Sequence, residues 1–120
     1  MQGHGAIEHF VDGYVAAWDS NDPDAIAALF TPDASYFADP DGVPWVGHAQ
    51  IVREWLAHRD EPNDHTFRYE VLARDGDLHF VRGWTTYLSD PPRDYANLWV
   101  VRLAEDGRAS EFTDWWVPRA

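Results

Sequence analysis

Near residue 60 the apolar periodicity of this chain changes from helical spacing to strict alternation, and that change limits the folds open to it. Before it, Ile7, Phe10, Val11, Tyr14, Val15 and Trp18 recur as on one helical face, which predicts a helix over about Ala6 to Asp19. Asp22 ahead of Pro23 is a helix start, and Ile26, Leu29 and Phe30 form the apolar side of a short second helix that Thr31-Pro32-Asp33 stops. A short strand near Ala34 to Phe37 and a turn at Asp39-Pro40-Asp41-Gly42 lead to a third helix over about His48 to Arg59, burying Ile51, Trp55 and His58 or Leu56. Beyond it the alternation predicts strands over His65–Arg74, Asp77–Ser89, Asp94–Ala104 and Arg108–Val117. Asp75-Gly76 and Asp106-Gly107 are hairpin turns, and Asp90-Pro91-Pro92 marks a longer one. Helices followed by an antiparallel meander make an α+β layout. Such a sheet curves, the helices cover one of its faces, and the space between them is the natural pocket.

The 120 residues are read as one domain spanning 1–120, long enough for a real core. Seven Trp in a chain of 15% aromatic content point to a lined cavity, an interface, or simply a Trp-heavy core. A formal net charge of −12 argues against nucleic acid and against an anionic membrane surface as partners. The absence of cysteine removes thiol chemistry, disulfides and thiolate metal sites. With no visible signal peptide and no apolar run of spanning length, the expected location is cytoplasmic.

The final strand carries the feature with the most chemical content. Alternation puts Phe112, Asp114 and Trp116 on one face, so a carboxylate stands between two large apolar side chains. An ionised carboxylate in such surroundings needs a cationic partner or belongs to a working site.

The order of elements, with Tyr14-Val15-Ala16-Ala17-Trp18, Asp24-Ala25-Ile26-Ala27-Ala28-Leu29-Phe30, the Asp39-Pro40 turn and Gly47-His48-Ala49-Gln50-Ile51, resembles the nuclear transport factor 2-like superfamily. Within it the chain is most similar to SnoaL-like proteins and ketosteroid isomerases. The resemblance implies a cone-shaped fold with three N-terminal helices packed on a curved, mainly antiparallel sheet. That superfamily includes isomerases, cyclases, dehydratases, epoxide hydrolases and proteins with no chemistry, so the resemblance does not by itself choose a reaction. It also implies an inward face: Phe80, Arg82, Trp84 and Thr86 from one strand, Asn97, Trp99 and Val101 from the next, and Phe112, Asp114 and Trp116 from the last. Tyr14, Trp18 and Trp55 would close the pocket from the helices.

Two catalytic sets are suggested by the resemblance, and each has a Trp where an acid would stand. In ketosteroid isomerases a Tyr at the position of Tyr14 donates to a developing oxyanion, and an Asp at the strand-end turn, here Asp39, moves the proton. That chemistry also uses a protonated acid in the oxyanion hole, which here would fall at Trp99. Alternatively, Tyr14 is a buried helix residue and Asp39 a turn residue. Arg82 with Asp114 resembles two members of the Asp–Arg–Asp arrangement of limonene epoxide hydrolases, the remaining Asp falling at Trp84. The same two residues also read as a structural ion pair across neighbouring strands. Beside Arg82, Asp114 would stay ionised; without it, desolvation by Phe112 and Trp116 would raise its pKa. The six His show no metal-binding spacing, and His65 is expected either to face the cone beside Phe67 and Tyr69 or to be an edge residue.

Thr85, Tyr87, Thr113, Trp115 and Val117 are expected on the convex face, where exposed rings suggest a twofold homodimer. The reading that unites these features is a pocket for a small apolar, ring-containing molecule, with cofactor-free isomerase, cyclase or dehydratase chemistry and no metal. Asp114, Arg82, Tyr14 and Asp39 are the candidate catalytic residues; Trp18, Trp55, Trp84, Asn97, Trp99, Phe112 and Trp116 are the candidate substrate contacts. A non-catalytic ligand-binding or dimeric interaction module is the alternative, and an epoxide hydrolase a further one.

Overall fold

A computed structural model describes residues 5–61 and 64–119. The amphipathic pattern at the N-terminus forms α1 (Ala6–Ser20), which buries Ile7, Phe10, Val11, Tyr14 and Ala17. It ends where Asn21 adopts the left-handed conformation, its amide donating to the Ala17 carbonyl at 2.8 Å. The Asp22 carboxylate caps α2 (Pro23–Ala27) by accepting from the Asp24 amide at 3.1 Å, and Pro23 opens that helix without wasting a donor. The third helix, α3 (Gly47–Ala57), buries Ile51 and Trp55.

Six strands form one sheet: β1 (Phe30–Phe37), β2 (Trp45–Val46), β3 (His65–Asp75), β4 (Leu78–Tyr87), β5 (Arg93–Leu103) and β6 (Ala109–Pro118), in the order β2-β1-β6-β5-β4-β3. The β1–β6 pair is parallel and the other four are antiparallel. Gly76 and Gly107, at φ 62° and 87°, supply the left-handed turn positions that close the β3–β4 and β5–β6 hairpins. The fold is thus α+β, with the helices against one face of a curved, open sheet. The core lies in that concavity, where Phe10, Phe30, Trp99 and Phe112 are almost fully buried. Among the described residues no helix is long and apolar enough to cross a membrane.

Three sequence expectations are corrected. The second helix stops at Ala27, and Thr31-Pro32-Asp33 lies inside β1 rather than ending a helix. Pro32 is tolerated there because the pairing with β6 is irregular between Phe30 and Ser35, so its missing N–H breaks no ladder bond. Trp45–Val46, between the expected turn and the third helix and given no strand from the sequence, pairs with β1 at Tyr36 and Ser35.

The third correction matters most for function: β4 stands one residue out of the expected register. Val81, Gly83 and Thr85 are buried on the inner face, while Arg82 is exposed on the outer one and Phe80, Trp84 and Thr86 share its side of the strand. The cause is Gly83. A Cβ there would lie 2.5 Å from the Phe67 ring, so the missing side chain admits that ring to the inner face. Phe67 then stacks on Trp99 at 4.9 Å. A shift of one residue exchanges the two faces of a strand.

Candidate active site

A cavity of about 510 Å³ opens between α1, α3 and the inner face of the sheet, within the range of small-molecule sites. Its buried wall is built by Tyr14, Tyr36, Trp55, Asn97 and Trp99, together with the mostly buried Asp114. Its rim is more exposed and carries His58, Arg59, Arg93 and Trp116.

Asp114 reaches this wall because β6 alternates: Phe112 points into the core, and Asp114 lies directly across from Trp99 on β5. Its Oδ1 accepts from the Asn97 side-chain amide at 3.2 Å, and the Asn97 oxygen accepts in turn from the Thr85 hydroxyl at 2.9 Å. Thr85 therefore fixes which way the Asn97 amide faces. The buried indole N–H of Trp99 has no hydrogen-bond partner, although it lies close enough to Asp114 to favour the charged form. No Arg, Lys or His forms an ion pair with Asp114 among the described residues. Burial accordingly pushes its pKa from the ordinary 3.8 up to about 6, and the Asn97 and Trp99 N–H groups only partly offset this.

The expected partnership with Arg82 does not form. Arg82 projects from the outer face, where its guanidinium bonds Glu70. Trp84 is on that face too, beneath the Arg68 guanidinium at 3.9 Å and the Arg82 guanidinium at 5.3 Å. Neither residue lines the cavity.

Tyr14 and Tyr36 share a hydrogen bond of 2.6 Å between their hydroxyls. Burial raises both pKa values, Tyr14 well above the ordinary tyrosine value, and the nearby Asp114 charge adds to the effect on each. Both therefore remain protonated. Two hydroxyls joined by one bond have a second proton left to donate. Phe112 backs the pair from the core, stacked on Tyr14 at 5.2 Å and packed against Tyr36 at 4.8 Å, so it supports the wall instead of lining the cavity. Asp39 lies in an exposed turn, where its carboxylate accepts from the Asp41 amide at 2.9 Å, and it too is outside the cavity lining.

Trp18, Trp55, Trp99 and Trp116 all line the cavity. Three of their indoles are fixed by hydrogen bonds: Trp18 to Asp60 at 2.8 Å, Trp55 to the Asn21 side chain at 3.2 Å and Trp116 to the Ala38 carbonyl at 3.2 Å. His65 is buried beside Phe67 and Tyr69 and stacks on Trp18 at 4.0 Å, on the inner side but away from the cavity lining.

Several contributors are not evident from the sequence. Tyr36 is visible there only as a strand residue, and the expected β4 register puts Thr85 and Tyr87 on the convex face. Asp60 brings a second carboxylate to the cavity. Its Oδ2 accepts from both the Trp18 indole and the Tyr87 hydroxyl, the latter at 3.0 Å. Its position just after α3 gives no periodic signal; the buried donors waiting for it come from elements far away in sequence. Among the described residues no group of three or more His, Asp or Glu side chains is placed to hold a metal ion.

The SnoaL-like domain family matches residues 11–112. A ketosteroid isomerase-like protein from Erwinia carotovora atroseptica SCRI1043 is similar in structure at 21% identity, with a TM-score of 0.67, over 93% of this chain and 94% of the other. An NTF-2 like protein of unknown function from Burkholderia xenovorans LB400 gives a TM-score of 0.73 at 15% identity, over 96% of this chain and 85% of the other. No curated protein matches the chain significantly. At these identities the solved structures establish the fold alone, the nuclear transport factor 2-like cone, while the family match covers most of the sequence. The chain belongs to the SnoaL-like domain family.

Proposed function

We propose that this protein binds a small, largely apolar, ring-containing molecule in its cavity and performs cofactor-free acid–base chemistry on it, of the isomerisation, cyclisation or dehydration type. One observation carries the reading: Asp114 is a mostly buried carboxylate without a cation, on the wall of an open cavity that it shares with a protonated tyrosine pair. A base is most useful when its pKa lies near the working pH, and a value of about 6 leaves Asp114 mainly ionised at neutrality yet able to hold a proton. In this reading Asp114 removes a proton from carbon beside a carbonyl and returns it elsewhere. The Tyr14–Tyr36 pair donates to the carbonyl oxygen as negative charge develops there. Asn97, held by Thr85, orients the carboxylate, and the indoles exclude water.

The experiment is deuterium exchange from D2O into a panel of cyclic ketones, followed by NMR. The wild-type protein should catalyse exchange for at least one member, and Asp114→Asn should slow it by about 100-fold or more. Unchanged exchange in Asp114→Asn would sink the assignment. The alternative, a binding module without turnover, is favoured by Trp99, an indole with no titratable proton at the position where the resemblance implies an acid. Panel members that bind tightly and exchange no proton would select that alternative.

We also propose a homodimer through the convex face. Trp115 and Val117 are 50% and 59% exposed there, a liability for a monomer and an ordinary composition for an interface. A monomer mass by light scattering at micromolar concentration would contradict it.

A further inference from the structure

The rim of the cavity has a charge arrangement that the acid–base reading leaves unused. All nine cationic side chains of this acidic chain are arginines. Four of them, Arg53, Arg82, Arg102 and Arg108, are in ion pairs with carboxylates. The two arginines on the cavity rim are not. Arg59 donates to the Leu56 carbonyl at 3.0 Å, and Arg93 lies over the Tyr87 ring at 5.1 Å with a 3.3 Å contact to the Tyr95 hydroxyl. Neither has a carboxylate within ion-pair distance among the described residues.

Asp60, the carboxylate that shares the cavity with them, is committed elsewhere. The neutral donors Trp18 and Tyr87 converge on one of its oxygens, so it is held away from both guanidinium groups although it adjoins Arg59 in sequence. An arginine presents a planar fork of N–H donors that matches a carboxylate, and both of these forks keep donors unused. We infer that the ligand is an amphipathic acid: an apolar ring system seated among the indoles, with a carboxylate at the rim held by Arg59 and Arg93. This inference rests on the cavity being the ligand site, as proposed above. It adds a polarity to that site, with the anion outward and the reacting ring carbon inward, toward Asp114. The inward direction is also the one that keeps a negative ligand group away from the Asp114 charge.

The test uses 2-naphthoate, its methyl ester and 2-naphthylmethylammonium as probes, with binding read from quenching of tryptophan fluorescence. Naphthoate should bind about tenfold or more tighter than the neutral ester, as expected for a charge-assisted bidentate contact. The preference should shrink as salt is raised. Arg59→Gln/Arg93→Gln should bring naphthoate down to the affinity of the ester, with circular dichroism checking that the variant is folded. Equal binding of naphthoate and ester, or tighter binding of the ammonium probe, would overturn this inference and leave the proposed chemistry standing. A failure of all three probes to bind would remove both.

Discussion

On the outer face of β3 and β4, Arg82 meets Glu70, and Arg68 and Arg82 lie over Trp84. On the inner face, two strands away, Asp114 meets only neutral groups, the Asn97 amide and the Trp99 indole N–H. The outer pair is half in water, at 51% and 48% exposure, so neutralising each charge gains little there. The inner carboxylate has been largely taken out of water with no cation to offset the loss, and its raised pKa follows from the difference. Had β4 stood in the other register, Arg82 would face inward and the contrast would disappear. The register of one strand therefore decides whether this cavity holds a neutralised ion pair or a proton-transfer group.

The most disruptive way to break the contrast is to fill the gap that Gly83 leaves on the inner face. Gly83→Ala places a methyl group against the Phe67 ring and forces it off its stack on Trp99. Overpacking of this kind should destabilise the fold by about 1–3 kcal/mol in urea unfolding. An unaffected midpoint would mean that Gly83 does not hold the register.

An effect of comparable size and opposite sign is expected from Asp114→Asn. The folded-state pKa of Asp114 lies above its ordinary value, so below about pH 4 the carboxyl is neutral in both states and burial carries no charge penalty. As pH rises through about 6 the folded protein must ionise a buried group, and that relative stability is lost. Asparagine can still accept from Asn97 and never ionises. The variant should therefore be more stable than wild type by up to about 3 kcal/mol at pH 7.5, with the gain vanishing near pH 4. Loss of stability at pH 7.5 would contradict the account. Stabilisation accompanied by lost exchange activity is the trade expected of a working site.

The smallest effect belongs to the outer face. Arg82→Gln should change stability by less than about 1 kcal/mol, because an exposed pair is worth little. A larger loss in urea unfolding would place Arg82 inside.

Most of the fold could be read directly from the chain. The spacing of Ile7 through Trp18, the Asp22-Pro23 start and the two Asp-Gly turns are local signals, and local physics decides them. The predicted ends of β3, β5 and β6 fall within one residue of the observed ones, since each is bounded by such a turn or by a change in alternation. The face of β4 was not legible by the same means. Phe80 and Trp84 are as apolar as Val81 and Tyr87, and the outward Trp84 is covered by arginine guanidinium groups that no hydropathy pattern reveals. The usable signal was Gly83 itself, a glycine inside a strand, which marks a close approach. Asp114 was visible as an acid between rings, with both of its possible environments in view. The choice between them depended on that register, and so did Thr85 and Tyr87. Asp60 depended on long-range contacts with Trp18 and Tyr87 that no spacing announces.

The most direct measurement is the carboxyl-carbon NMR titration of Asp114 in the wild-type protein and in Arg82→Gln. A midpoint near 6, the same in both proteins, is expected. A midpoint at or below the ordinary 3.8, or one that rises when Arg82 is removed, would show a cation beside Asp114 and contradict the assignment of this carboxylate as the proton-transfer group.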